Sequence, residues 1–350
     1  MTTTSRASDQ TQSSSSSFSE DSKGYALVAL GGGTGLTSLL RGLKHCVGGR
    51  LSDLTAVVAV SDDGGSSGRL RRDFGVLPPG DIRNCIAALA DDEDLLVELF
   101  QYRFSDGEGL SGHSFGNLFL AALTGITGDF YQAILTAESI LSVRGKILPA
   151  TLTDLRLRAR GQSGQVYFGE SAIGVAGERL AALEIEPVDP PAFPPSVEAI
   201  ERADMILLGP GSLYTSIGAN LLIPEISEAV RGSRAKTVLP LNLMTQPGET
   251  DDLDATAHLD VVEKIAGKGL VDVVLINTAD IPKDRLIAYA EEGSRPVHVD
   301  WQELETRGVE VIGFDLLADG SLVRHDPEKL SQAVLELLDA DRHLPRAGGV

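Results

Sequence analysis

Tyr25-Ala26-Leu27-Val28-Ala29-Leu30-Gly31-Gly32-Gly33-Thr34-Gly35-Leu36-Thr37-Ser38-Leu39-Leu40-Arg41-Gly42-Leu43 sets the architecture of this chain. Residues 25–30 form an unbroken apolar run, the pattern of a parallel strand buried on both faces. Glycines and a threonine follow, and apolar residues then recur at helical spacing from Leu36 to Leu43. A strand, a glycine loop and a helix make a phosphate-binding unit, because the helix start offers unpaired N–H groups and a partial positive charge. Thr34, Thr37 and Ser38 add hydroxyls. The G-x-G-x-x-G fingerprint of dinucleotide folds fails at its last position, where Leu36 or Ser38 stands in place of Gly or Ala. The G-x-x-x-x-G-K-[ST] loop of P-loop NTPases is absent.

The second apolar run, Thr55 to Val60, leads into Ser61-Asp62-Asp63-Gly64-Gly65-Ser66-Ser67-Gly68-Arg69. Ligands of open α/β sheets bind outside the carboxyl ends of the strands, and this segment falls at such an end. Its paired aspartates suit a cation or a ribose, and its glycines let backbone approach an anion; the plainer alternative is a Gly/Ser-rich surface turn. Downstream, Leu77-Pro78-Pro79-Gly80-Asp81-Ile82-Arg83-Asn84 reads as a stiff turn feeding a helix. Asp81 is there either an N-cap or a ligand contact, and Arg83 and Asn84 can face the same cleft. His113-Ser114-Phe115-Gly116-Asn117 opens another apolar helix over Leu118 to Leu123, where the His-Ser pair serves as a cap or faces a phosphate. No G-x-S-x-G elbow surrounds Ser114, so it is not a hydrolase nucleophile.

The pattern then repeats. Residues 151–160 and 165–171 are extended runs around Gly161-Gln162-Ser163-Gly164, a β-hairpin expected to add antiparallel strands to a mostly parallel sheet. Pro187 to Pro195 is a stiff connector. Ala203 to Leu208 is a strand entering Gly209-Pro210-Gly211-Ser212-Leu213-Tyr214, a second small-residue loop suited to a pyrophosphate. Lys236 to Leu241 ends in Asn242-Leu243-Met244-Thr245-Gln246-Pro247-Gly248-Glu249-Thr250, and Val271 to Ile276 ends at Asn277. Asp91 to Phe104 and Pro327 to Leu338 read as structural helices. The expected fold is α/β, a Rossmann-like three-layer sandwich with a mostly parallel sheet and a β-hairpin addition. Residues 23–341 are read as one elaborated domain, between a disordered Ser/Thr-rich tail (1–22) and a flexible C-terminal tail (342–350).

Composition narrows the function. The chain has 350 residues, 42% hydrophobic and 23% charged, with a formal net charge of −20. That charge, with no basic block to offset it, excludes a sequence-independent nucleic-acid binder. The two cysteines, Cys46 and Cys85, fall in expected helices and need neither disulfide nor metal. No apolar run reaches membrane-span length and no signal peptide is evident, so the expected location is cytoplasmic.

Taken together, Gly31 to Gly35, the Asp62 to Arg69 segment, Pro78 to Asn84, His113 to Asn117, Gly209 to Tyr214 and Asn242 to Thr250 resemble the YvcK-like gluconeogenesis factors. The similarity runs from about Tyr25 to about Leu338, and the family shares a superfamily with the 2-phospho-L-lactate transferases. The resemblance implies a cytoplasmic protein that binds UDP-sugars such as UDP-N-acetylglucosamine and acts in cell shape and wall synthesis during gluconeogenic growth. It places Gly31, Gly32, Gly33, Thr34, Gly35, Gly209, Pro210, Gly211 and Ser212 around the diphosphate. Asp62 or Asp63 would meet a sugar or ribose hydroxyl or a divalent ion such as Mg2+, with Gly64, Gly65, Ser66, Arg69, Asp81, Arg83, Asn84, His113, Asn117 and Tyr214 around them. Asn242, Thr245 and Gln246 would read polar edges of the ligand. Tyr289 and Arg324 match the sugar-nucleotide region of the family, for stacking on uracil and for forking onto the diphosphate; core packing and surface charge are their plainer roles. No cofactor is required. The expected partners are the nucleotide sugar and a cell-wall synthesis protein, with self-association into a homo-oligomer left open and nucleic acid excluded. A phosphoryl-type transferase is the alternative; a nicotinamide dehydrogenase is a minor one.

Overall fold

The computed structural model describes residues 24–91 and 95–343, with the side chains of 342 and 343 not described. The tail expected over 1–22 and nearly all of that over 342–350 lie outside the described residues. The strands are β1 (Tyr25–Gly31), β2 (Leu51–Val58), β3 (Lys146–Pro149), β4 (Arg156–Gly161), β5 (Val166–Phe168), β6 (Leu180–Glu186), β7 (Met205–Leu208), β8 (Lys236–Pro240), β9 (Val273–Asn277) and β10 (Glu310–Phe314). Seven of them form one sheet in the order β10-β9-β8-β7-β1-β2-β3, and every pairing in it is parallel. The hairpin β4–β5 forms as its turn residues require, but it does not extend this sheet. It joins β6 in a separate antiparallel sheet of order β5-β4-β6.

The helices before the hairpin are α1 (Gly33–Leu43), α2 (Gly65–Phe74), α3 (Gly80–Leu89), α4 (Leu95–Gln101), α5 (Phe115–Thr127) and α6 (Phe130–Ile140). After it come α7 (Glu170–Ile173), α8 (Pro194–Glu201), α9 (Ala219–Leu221), α10 (Pro224–Gly232), α11 (Ala255–Ala266), α12 (Lys283–Glu291), α13 (Trp301–Thr306) and α14 (Pro327–His343). A π-helical stretch, Leu213–Gly218, leads into α9.

Alternation along β1 explains the layering. Leu27 and Ala29 face one core with Leu36, Leu39 and Leu40 of α1, Ile82 and Ile86 of α3, Ile134 of α6 and Leu330 and Val334 of α14. Val28 and Leu30 face the other, with Ile200 of α8, Ile226 of α10, Leu259 and Val262 of α11, and Leu157 and Ile185 of the small sheet. Side chains of a strand point to opposite faces in turn, so a fully apolar strand must be covered twice. The three-layer sandwich follows from that.

The strand order also marks one crevice. From β1 the chain proceeds to β2 and β3 on one side, and β7 to β10 build out on the other. The order therefore reverses between β1 and β7, and the crevice outside their carboxyl ends is the switch point where open α/β sheets bind ligands.

Candidate functional site

The two small-residue loops meet at that switch point. The Gly209 N–H donates to Leu30 O at 2.7 Å, which continues the β1–β7 pairing into the loops. A Cβ on Gly31 would lie 3.6 Å from Gly209 Cα, and one on Gly35 would meet the Pro210 carbonyl, so the backbones touch where a side chain would part them. Asn220 Nδ2 donates to Gly31 O at 3.1 Å and Asn242 Nδ2 to Gly211 O at 2.9 Å. Gln246 Nε2 reaches Ser212 Oγ at 3.0 Å, and the Glu249 carboxylate receives the Tyr214 N–H at 2.9 Å. Gly33, at φ +64°, has nothing within 4 Å of where its Cβ would be, so it faces open space at the mouth of the crevice. Thr34 is exposed beside it.

Helix starts differ in their caps across the fold. Asp129, Asp254 and Asp300 cap α6, α11 and α13, each accepting an N–H from the first turn. The helices α1, α2 and α3, which start at the crevice, have no side-chain cap from their N-cap residue. Asp81 is not the N-cap of α3. It stands in the first turn, and its carboxylate accepts hydrogen bonds from the Gly33 N–H and from Asn84.

Across β2 the chemistry is charged. Asp62 accepts from the Gly64 N–H at 2.9 Å, and its other oxygen lies against the Cα of Gly80. Asp63 turns away: its Oδ1 accepts both the N–H and the hydroxyl of Ser171, each at 2.9 Å. The small sheet delivers that contact through α7, together with Glu170, which no sequence pattern singles out. Burial pushes the Glu170 carboxyl up to about 9, with Asp81, Asp62, Glu249 and Asp63 adding like-charge repulsion. Burial and then Asp62 raise Asp81 to about 6. Among the described residues, no group of three or more His, Cys, Asp or Glu is placed to hold a metal ion. Asp62 fits a cation that takes its remaining ligands from phosphate and water. Asp63 is already held by Ser171 and does not share such a site in this arrangement.

The third part of the site surrounds the start of α5. Ser114 is the cap there, its Oγ accepting from Asn117 N at 3.2 Å. Ser66 Oγ and His113 Nδ1 lie 2.9 Å apart in a buried pair. Burial, then Arg69, hold the His113 pKa below its usual value, so the imidazole is neutral at pH 7. Asn117 Nδ2 reaches Ser67 Oγ at 3.3 Å, while its Oδ1 is buried without a partner. Arg69 donates to Ser111 O and Arg83 to Asn84 Oδ1. Gly65, at φ +44°, starts α2.

Three of the expected ligand residues make framework contacts. The Tyr214 ring sits in the core against the sheet, and burial pushes its hydroxyl up to about 12. Thr245 Oγ1 accepts the Arg295 N–H at 3.1 Å, and Thr245 O accepts the Ser294 hydroxyl at 2.5 Å, which tie two loops together. Tyr289 packs on a small cluster containing Leu243 and Met244, and its hydroxyl accepts the Val323 N–H at 3.0 Å. It thereby steadies the turn that presents exposed Arg324. No helix among the described residues is long and apolar enough to cross a membrane.

A family model for 2-phospho-L-lactate transferase CofD matches residues 27–317. The chain is 46% identical over 313 residues to the gluconeogenesis factor of Bacillus subtilis, covering 89% of this chain and 98% of that one. The gluconeogenesis factor of Halalkalibacterium halodurans is 45% identical over 311 residues, covering 89% and 95%. A crystal structure of a UPF0052-family protein from Bacillus halodurans superposes with a TM-score of 0.86 at 44% identity, covering 90% of this chain and all of that one. With its fold, its crevice and its relatives in agreement, the chain belongs to the 2-phospho-L-lactate transferase CofD family, among the members named gluconeogenesis factor.

Proposed function

We propose that this protein binds a nucleotide-diphosphate sugar, UDP-N-acetylglucosamine, at the β1–β7 switch point and acts as a cytoplasmic regulator of cell shape and wall synthesis during gluconeogenic growth. The observation that carries the reading is the pair of small-residue loops, Gly31–Gly35 and Gly209–Ser212, pressed together where the strand order reverses. A diphosphate needs close backbone approach and N–H donors, and such loops at helix starts supply both. Asp81 already holds the Gly33 N–H and the Ser212 proton goes to Glu249, so the diphosphate seats beside them, on the outer backbone of the two loops, with the Thr34 hydroxyl. Asp62 meets a sugar or ribose hydroxyl, or a magnesium ion carried by the diphosphate. Asn242 and Gln246 border the same crevice. Arg324, steadied by Tyr289, forks onto a phosphate from the β8 side. The relatives' name supports the gluconeogenic role, which is exercised through a wall-building protein partner.

A second reading has its own observation. Asp62, Asp81 and Glu170 converge beside the crevice with raised affinities for protons at the latter two. Carboxylates of that kind suit a transferase acting on a phosphorus-containing group, with cations positioned for in-line transfer. Calorimetric titration with UDP-N-acetylglucosamine, with and without magnesium, separates the two when the ligand is followed by NMR for hours. Saturable binding with the sugar nucleotide intact supports the regulator. Conversion of the ligand supports the transferase, and absence of binding removes the nucleotide-sugar reading.

A further inference from the structure

Three arginines gather at the start of α5, and none has a carboxylate partner among the described residues. Arg103 pairs through its backbone with Ser114 and donates from Nη1 to Gly112 O at 2.7 Å. Arg69 donates from Nη2 to Ser111 O at 2.9 Å. The stem of Arg83 crosses Gly116, where any Cβ would strike its Cγ and Cδ, and Nη2 donates to Asn84 Oδ1 at 2.6 Å. Each guanidinium carries five N–H groups, and each makes its contact with a neutral oxygen. Among the described residues, no ion pair includes any of the three.

The grouping is self-repelling. Burial and then Arg103 depress the Arg83 pKa, and Arg69 and Arg103 both act on His113. Asp62 and Asp81 act on Arg83 through space, and Asp73 on His113, without forming a pair. In a chain of net charge −20, carboxylates were plentiful for pairing. Arg83 is only 8% exposed and its Nε is buried without a partner, as is the Nε of Arg69. Buried polar atoms are ordinarily hydrogen-bonded, so orphans gathered at one place call for a partner. The α5 N-terminus is not what draws it: the Phe115 N–H already goes to Tyr102 O and that of Asn117 to Ser114 Oγ. The place is also distinct from the diphosphate cradle. Asp81 touches Gly32 and Gly33, whereas Arg83, two residues along α3, leans on Gly116. Residues so spaced point to different sides of a helix.

We propose that Arg69, Arg83 and Arg103 form a second anion subsite, which holds a phosphate or carboxylate group of a second ligand beside the nucleotide sugar. Both oxyanions match the planar fork of a guanidinium. The proposal deepens the nucleotide-sugar reading and rests on it only for the ligand being the second one. Inorganic phosphate, and separately acetate, would be titrated calorimetrically into the full chain, alone and after saturation with UDP-N-acetylglucosamine. Arg103 is exposed, so Arg103→Gln and Arg103→Glu are expected to fold.

The expected result is that phosphate or acetate binds in both states, the tighter of the two naming the chemistry of the second ligand. Arg103→Gln then weakens that anion about tenfold and Arg103→Glu abolishes its binding, the scale of losing one charge-assisted hydrogen bond. UDP-N-acetylglucosamine affinity stays unchanged in Arg103→Gln. The proposal is overturned if neither anion binds, if the nucleotide sugar displaces the anion, or if both Arg103 variants bind it as before. Arginine-dependent anion binding in a chain that ignores UDP-N-acetylglucosamine would refute the nucleotide reading and leave the anion subsite standing.

Discussion

The two sides of the crevice are built on opposite principles. On the β7–β8 side the loops are mostly backbone, hydroxyls and amides that bond one another, with a single buried carboxylate tied to them: Asn242 donates to Gly211, Gln246 to Ser212 and the Tyr214 N–H to Glu249. On the β2 side the groups are ionisable and form no ion pairs with one another among the described residues, as in the raised carboxyls of Asp81 and Glu170 and the Arg83 guanidinium, whose Nε has no hydrogen-bond partner. A largely neutral network bonded to itself gives a defined shape, whereas a low-dielectric cluster of charges gives selectivity and reactivity at a cost in stability. In the proposed reading the neutral side fixes where the ligand lies and the charged side governs which ligand is kept.

The largest expected effect lies on the neutral side. Gly33→Val places a β-branched residue at φ +64°, aimed into the mouth of the crevice. UDP-N-acetylglucosamine affinity should fall by about a hundredfold by calorimetry, with far-UV circular dichroism unchanged. Normal affinity in a folded variant would move the cradle elsewhere. Gly35→Ala tests the defined shape itself. Its new Cβ meets the Pro210 carbonyl 2.5 Å away, and the overpacking should cost about 1–3 kcal/mol in a denaturant titration.

On the charged side, Asp62→Asn should leave the fold intact and reduce the magnesium dependence of ligand affinity, by about tenfold on the scale of one charged ligand contact. An unchanged magnesium response would remove Asp62 from the site. Glu170 gives a pH test. Its folded pKa is raised from 4.5 to about 9, so the folded state holds a proton that the unfolded chain has released. Stability is then undiminished below the unfolded value and declines as pH rises towards about 9. Glu170→Gln should match the parent in melting temperature at acid pH and exceed it increasingly towards alkaline pH. A constant offset across that range would show that Glu170 is not held protonated. The smallest effect belongs to Tyr289→Phe, which removes the acceptor of the Val323 N–H and should cost about 1 kcal/mol while loosening the turn of Arg324. Hydrogen exchange at Val323 would report it.

Much of this was legible locally. The apolar runs Leu27–Leu30 and Met205–Leu208, followed at once by glycines, mark buried strands ending in a crevice, because burial on both faces and close backbone approach each demand a particular residue type. The hairpin turn at Gly161–Gly164 was legible for the same reason. The destination of the hairpin was not, since it depends on pairing β4 with β6 across some twenty residues of chain. Glu170 entered the site by the same route: α7 meets Asp63 across 108 residues, a distance no local pattern reports. Tyr214 misled in the other direction. The resemblance sets it among the ligand residues, but the π-helical turn carries its ring into the core. Asp81 follows Pro-Pro-Gly as a cap would, yet its carboxylate goes to the Gly33 N–H of a neighbouring loop.

The most direct test of the switch-point assignment is a crystal structure of the protein with UDP-N-acetylglucosamine. The expected result is a diphosphate within hydrogen-bond distance of both loops, Gly31–Gly35 and Gly209–Ser212. A diphosphate bound away from either loop would contradict the assignment.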